Sequence, residues 1–156
     1  MTWEQVHRRN RVVRDIVERA ADGQLPLSAD DREAIEAEFS AFDDFLLQVH
    51  ALWARAFDAR VDSVLECRPL DRTAAVADVC AGLADDLPGV RRVLDEHADA
   101  PLLRRAVVRH ERLVRDATGV DLAGLAVRSS RQRQPVPACT VRRRLNAVRV
   151  SLGVAR

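Results

Sequence analysis

The residues of this chain best suited to chemistry are few and widely spaced. Its histidines stand at 7, 50, 97 and 110 and its cysteines at 67, 80 and 139. Asp95, Glu96, His97 and Asp99 crowd into one stretch, and His110-Glu111 begins like the zinc-protease pattern in which two histidines four apart hold the metal. The position four after His110 is Val114, so that face offers no second ligand. These groups read as solvated helix ends, and His97 near a helix C-terminus is electrostatically favoured there. The acid pairs Asp43-Asp44 and Asp85-Asp86 fall at expected helix starts and ends, where carboxylates serve the helix dipole or solubility. No GxSxG turn, glycine-rich phosphate loop or favourably spaced Cys-His pair occurs, and the six glycines are too scattered to build a phosphate cradle. Lysine is absent, all 25 basic residues being arginine, which excludes a Schiff-base or general-base lysine. The expectation is a protein that is not an enzyme, with no catalytic residue, metal or cofactor.

Charge is divided along the chain. The net value of +1 hides an acidic body, −7 over residues 1–127, and a tail from Arg128 onward with eight arginines and no acid, +8. Such a division bears on partners and not on fold. Three cysteines without a CxxC pair argue against a disulfide framework and for a reducing compartment. The first ten residues, MTWEQVHRRN, hold no apolar stretch of signal-peptide length, and charges interrupt every helical pattern too often for a bilayer span. A cytoplasmic protein with no membrane association is expected, and the Arg-, Ala- and Val-rich composition points to GC-rich bacterial coding.

The elements that must position these residues are helical. The run from Phe39 to Cys67 has no Gly or Pro, and Phe39, Phe42, Leu46, Val49, Trp53 and Phe57 recur at steps of three and four. The spacing predicts one long helix around which the others pack. Residues 3–21 predict a first helix stopped by Asp22-Gly23. Ser28 with Asp31 opens a short acidic helix to about Phe39, and Arg68-Pro69 ends the long one. Asp71 caps a helix through Leu83, Pro88 opens another, and Pro101 opens a last one that Gly119 stops. The fold class is therefore all-α, a helical bundle over residues 1–127. Residues 128–156 read as an Arg-rich linker and a flexible basic tail, whose Val141, Leu145, Val148 and Leu152 give a short amphipathic pattern.

The aromatic stripe of the long helix has two readings, packed core or cavity lining. In the second, Phe45, Val49, Trp53, Phe57, Cys80 and Leu83 line the cavity, and the ligand is apolar and uncharged. The tail likewise has several readings: nucleic-acid binding through Arg131, Arg133, Arg142, Arg143, Arg144 and Arg149, docking on an acidic protein surface, or a solvated segment.

Two stretches resemble the TetR family of one-component transcriptional regulators. Phe39-Ser-Ala-Phe-Asp-Asp-Phe-Leu-Leu is similar to the family's junction between recognition helix and ligand domain. Leu87-Pro-Gly-Val-Arg-Arg-Val-Leu-Asp-Glu-His-Ala-Asp-Ala-Pro-Leu-Leu-Arg resembles a connection in its ligand-binding half. The resemblance implies a homodimer of helical bundles that binds a small apolar ligand or a protein partner. It also shows where the chain departs from the pattern. A helix-turn-helix needs two helices before the junction, and the step from Gly23 to Phe39 has room for one. Glu36 and Phe42 stand where the family usually has a phosphate-contacting tyrosine and lysine, and the surrounding acids would repel a DNA backbone. The expected body is TetR-like with a degenerate or missing DNA-reading head.

Overall fold

A computed structural model describes residues 2–122, and these form six α-helices with no strand among them. They are α1 (Trp3–Ala21), α2 (Ala29–Glu38), α3 (Phe42–Glu66), α4 (Arg72–Asp86), α5 (Pro88–Glu96) and α6 (Pro101–Thr118). Arg131, Arg133, Arg142, Arg143, Arg144 and Arg149 lie outside the described residues, as does the expected boundary between body and tail. One helix, α2, stands between α1 and α3. Among the described residues no helix is long and apolar enough to cross a membrane.

Local chemistry sets the helix ends. The Asp31 backbone N–H donates to Ser28 Oγ at 3.1 Å while the Ser28 N–H donates to Asp31 Oδ2 at 2.9 Å, a reciprocal box that satisfies two orphan donors at the start of α2. Asp71 accepts from the Ala74 N–H at 2.9 Å and starts α4. Pro88 and Pro101 open α5 and α6, where a missing N–H costs nothing. Gly119 ends α6 at φ 76°, a left-handed conformation in which a Cβ would be strained.

Two boundaries differ from the sequence reading. The long helix begins at Phe42 and not at Phe39, because Phe39 and Ala41 are extended. Burial explains the break. Six residues along an ideal helix turn about 240°, so a continuous helix would point Phe39 away from Phe45. With the chain turned at Ser40-Ala41, the two rings meet edge to face at 5.7 Å inside the core. Also, α4 runs on past Leu83 to Asp86, since the Leu87 N–H still finds the Leu83 carbonyl at 2.9 Å.

α3 passes through two apolar clusters. The first gathers Val13, Ile16 and Ala20 of α1, Ile35 of α2, Phe45, Leu46 and Val49 of α3, Val90 and Val93 of α5, and Leu103 of α6. The second holds Phe57 and Val61 of α3 with Val76, Val79 and Leu83 of α4 and Val114 of α6. Trp53 packs against both. α1 and α5 approach most closely: a Cβ at Gly89 would lie 1.9 Å from the Val17 carbonyl oxygen. Arg92 holds the same contact, its Nη1 donating to the carbonyls of Ala20 and Ala21 at 2.9 and 2.8 Å at the end of α1, where the Ala20 carbonyl also accepts from the Gly23 N–H at 3.1 Å.

Candidate functional site

The second half of α3 is flanked by α4 and α6, which pack on α3 without substantial contact with each other. Between them lies a groove of about 580 Å³. Its floor is Trp53 and Phe57, with His50 beside them. Ala77, Cys80 and Ala81 of α4 form one wall, Leu103, Val107 and His110 of α6 the other, and Leu94 of α5 closes one end. The chain returns to this groove after α6. The Thr118 hydroxyl donates to the Val114 carbonyl at 2.7 Å and accepts from the Val120 N–H at 3.1 Å, which buries Val120 and brings Leu122 to the lip.

Of the six residues expected to line a cavity, Trp53, Phe57 and Cys80 line the groove. Phe45, Val49 and Leu83 do not: all three are buried in the packed clusters. The reason is helical arithmetic. A row of residues four apart drifts about 40° per step, so Phe45 and Phe57, three steps apart, face neighbours about 120° apart. Phe45 meets α1 and α2, and Phe57 meets α4 and α6.

The polar groups of the groove come from residues that the sequence reading placed at solvated helix ends or did not single out. His50 is only 8% exposed, and with no hydrogen-bond partner among the described residues its ring nitrogens keep contact with solvent. Its ring stands edge to face with that of His110 at 5.7 Å, and His110 meets Phe57 the same way at 5.6 Å. His110 Nε2 lies 2.8 Å from Asp58 Oδ1, a contact that orients the ring and favours the tautomer with its proton on Nε2. Burial pushes the His50 imidazole below its ordinary value, the charge of His110 adds to this, and Asp58 pulls weakly the other way. Burial raises the Cys80 thiol, which makes it an inert wall and not a nucleophile. At the rim, Arg91 pairs with Asp95 at 2.7 Å and lies 5.8 Å from the Trp53 ring centre, while Arg104 and Glu111 have no ion partner among the described residues.

A signal for the histidines was present in the sequence. His50 is three and seven residues before Trp53 and Phe57, and His110 follows Leu103 and Val107 by seven and three, so each lies inside an apolar stripe. Among the described residues no set of three or more His, Cys, Asp or Glu is arranged to hold a metal ion. No protein-family description matches this chain, and no curated protein or solved structure matches it either.

Proposed function

We propose that this chain is a non-enzymatic binding protein with a TetR-like helical body that takes one small, largely apolar molecule into the groove between α3, α4 and α6. The observation that carries this reading is the groove itself. Its volume of about 580 Å³ is that of a small-molecule site, and its floor is an indole and a phenyl ring. Because α4 and α6 are coupled mainly through α3, an occupant touching both walls shifts their relative arrangement, which is the output that a regulator needs. Pairing of two copies through the later helices belongs to the same reading, and the exposed Leu102 and Leu113 of α6 are its support. The reading is tested with Nile red, a neutral dye that brightens in apolar surroundings. One dye per chain is expected to bind, and Ala81→Trp, which places an indole in the groove mouth, is expected to weaken binding at least about tenfold. Dye binding that ignores Ala81→Trp would remove the groove from the proposal.

The charge division favours a second reading, in which eight arginines with no acid bind nucleic acid. Its mark is salt: binding through several arginines weakens steeply as salt rises, and replacing Arg142, Arg143 and Arg144 by glutamine flattens that dependence. Binding in the groove responds to neither change.

A further inference from the structure

We propose that the groove has an occupant of its own, the apolar segment 123–127 that directly follows Leu122, and that a small molecule must displace this segment to bind. This rests on the groove reading above and adds the regulation of that site. The end of α6 sends the chain toward the groove. Gly119 turns the backbone at φ 76°, Thr118 bonds both the Val114 carbonyl and the Val120 N–H, and Arg115 holds Asp121 at 2.8 Å on the surface. Val120 is buried in one cluster with Phe57 and Val114, and Leu122 packs on that cluster while lining the groove. The last described residue therefore stands at the site.

The residues that follow suit this place. Ala123, Gly124, Leu125, Ala126 and Val127 hold no charge and no proline, and the next charge is Arg128. Five extended residues reach about 17 Å, and the α6 wall from Leu103 to His110 is about 10 Å long, so the segment can cross the groove. Ala77 and Ala81, one turn apart on α4, make a wall of small side chains against which a second backbone can lie closely. A peptide also brings N–H and C=O groups that must stay paired. The groove carries polar side chains with no hydrogen-bond or ion partner among the described residues: His50 inside, Arg104 and Glu111 at the rim.

Tethering favours this occupant over one from solution. A segment joined to the lip meets the groove at an effective concentration on the order of millimolar, so contacts too weak to hold a free peptide suffice to keep it seated. A small molecule then finds only the fraction of chains whose groove is empty, and its apparent affinity is lowered by that fraction.

The test uses the full chain carrying Trp3→Phe, which leaves Trp53 as the one indole. Trp53 is expected to resist quenching by acrylamide. Leu125→Asp with Val127→Asp charges the segment, and is expected to expose Trp53 to the quencher and to raise Nile red affinity about fivefold or more. Equal quenching in the two chains overturns the segment, and the groove reading stands if the dye binds. Greater quenching in the charged variant with no dye bound by either chain keeps the segment and removes the small molecule. Dye that binds both chains equally, or the variant more weakly, overturns the competition. A second variant serves if the charged one does not fold. With Cys67→Ser and Cys139→Ser, a thiol introduced by Leu125→Cys is expected to be joined to Cys80 of the same chain by a short bismaleimide. Absence of that cross-link overturns the proposal, and a cross-link between two chains gives the groove to the segment of a second copy instead.

Discussion

Around the first half of α3, the helices α1, α2 and α5 close on α3, and α1 packs on both α2 and α5. Around the second half, α4 and α6 share α3 as a common support and leave a groove between them. The same helix thus serves as the centre of a closed core and as the floor of an open site. What differs is not hydrophobicity, since Phe45 and Phe57 are both buried. The difference is whether the flanking helices have something to close with. At the first end Gly89 lets α5 reach the backbone of α1, and Arg92 fastens it there. Among the described residues no comparable device joins α4 to α6.

The largest effect that tests this contrast is removal of a ring at each end. Phe45→Ala leaves a void among helices that cannot collapse, and about 4 kcal/mol of stability is expected to go. Phe57→Ala removes a ring that is equally buried but lines the groove. Neighbouring side chains and water reach that space, so a loss about 1 kcal/mol smaller is expected. Urea unfolding of the two variants measures both, and equal losses would mean that the groove side is as rigid as the core.

Next in size is Gly89→Ala. The added methyl meets backbone and not a movable side chain, so α5 must withdraw from α1, at a cost of about 3 kcal/mol. Amide exchange is expected to rise along α1 and α5 and to stay near wild type in α4. Even spreading of the effect would show that the two halves unfold as one unit.

Much of this architecture can be read from sequence because it is local. Ser28 with Asp31, Asp71, Pro88, Pro101 and Gly119 mark helix ends through bonds that span a few residues, and all of them stand where the patterns placed them. The groove is not local. Whether Phe45 or Phe57 faces a gap depends on which helices flank each turn of α3, and no spacing along the chain records that. His50 was hidden for a related reason: its stripe marks it as buried, but only the placement of His110 and Asp58 gives the site its polar end. The break at Ser40-Ala41 was similarly disguised by the apolar run on both sides of it.

Acid should separate the two halves without any mutation. In the closed half, burial pushes the Asp31 carboxyl up, but bonds from the Ser28 hydroxyl and N–H and from the Arg19 guanidinium outweigh it and bring it below the ordinary value. A lowered carboxylate contributes stability that is full above its unfolded value, near pH 4, and is lost as pH falls through the folded value. Asp31→Ala is expected to cost about 1–2 kcal/mol at neutral pH, chiefly through the lost capping box, with a smaller part from the pair to the half-exposed Arg19, and less as acid removes the charge. In the open half, His50 is lowered by burial, so folding resists its protonation. That penalty is absent at high pH and grows as pH falls below the unfolded value, near 6.5. Exchange measured from neutral to mildly acid pH is expected to quicken first around His50 and His110, while the amides of α2 hold until the carboxylate range. The reverse order would place the weaker packing at the α2 end.

The smallest expected effect is a gain. Gly82 lies inside α4, and a Cβ there meets nothing within 4 Å. A glycine in a helix interior costs about 1 kcal/mol relative to alanine, through the backbone freedom that it loses on folding. Gly82→Ala should therefore raise stability by close to that amount, the opposite sign from Gly89→Ala seven residues on. Because the methyl fills no space in the groove, Nile red affinity should change little if α4 sits on α3 as a rigid wall. A stabilised variant that binds the dye more weakly would mean that α4 must bend near Gly82 to admit a ligand. The open half would then be a moving site and not a fixed one.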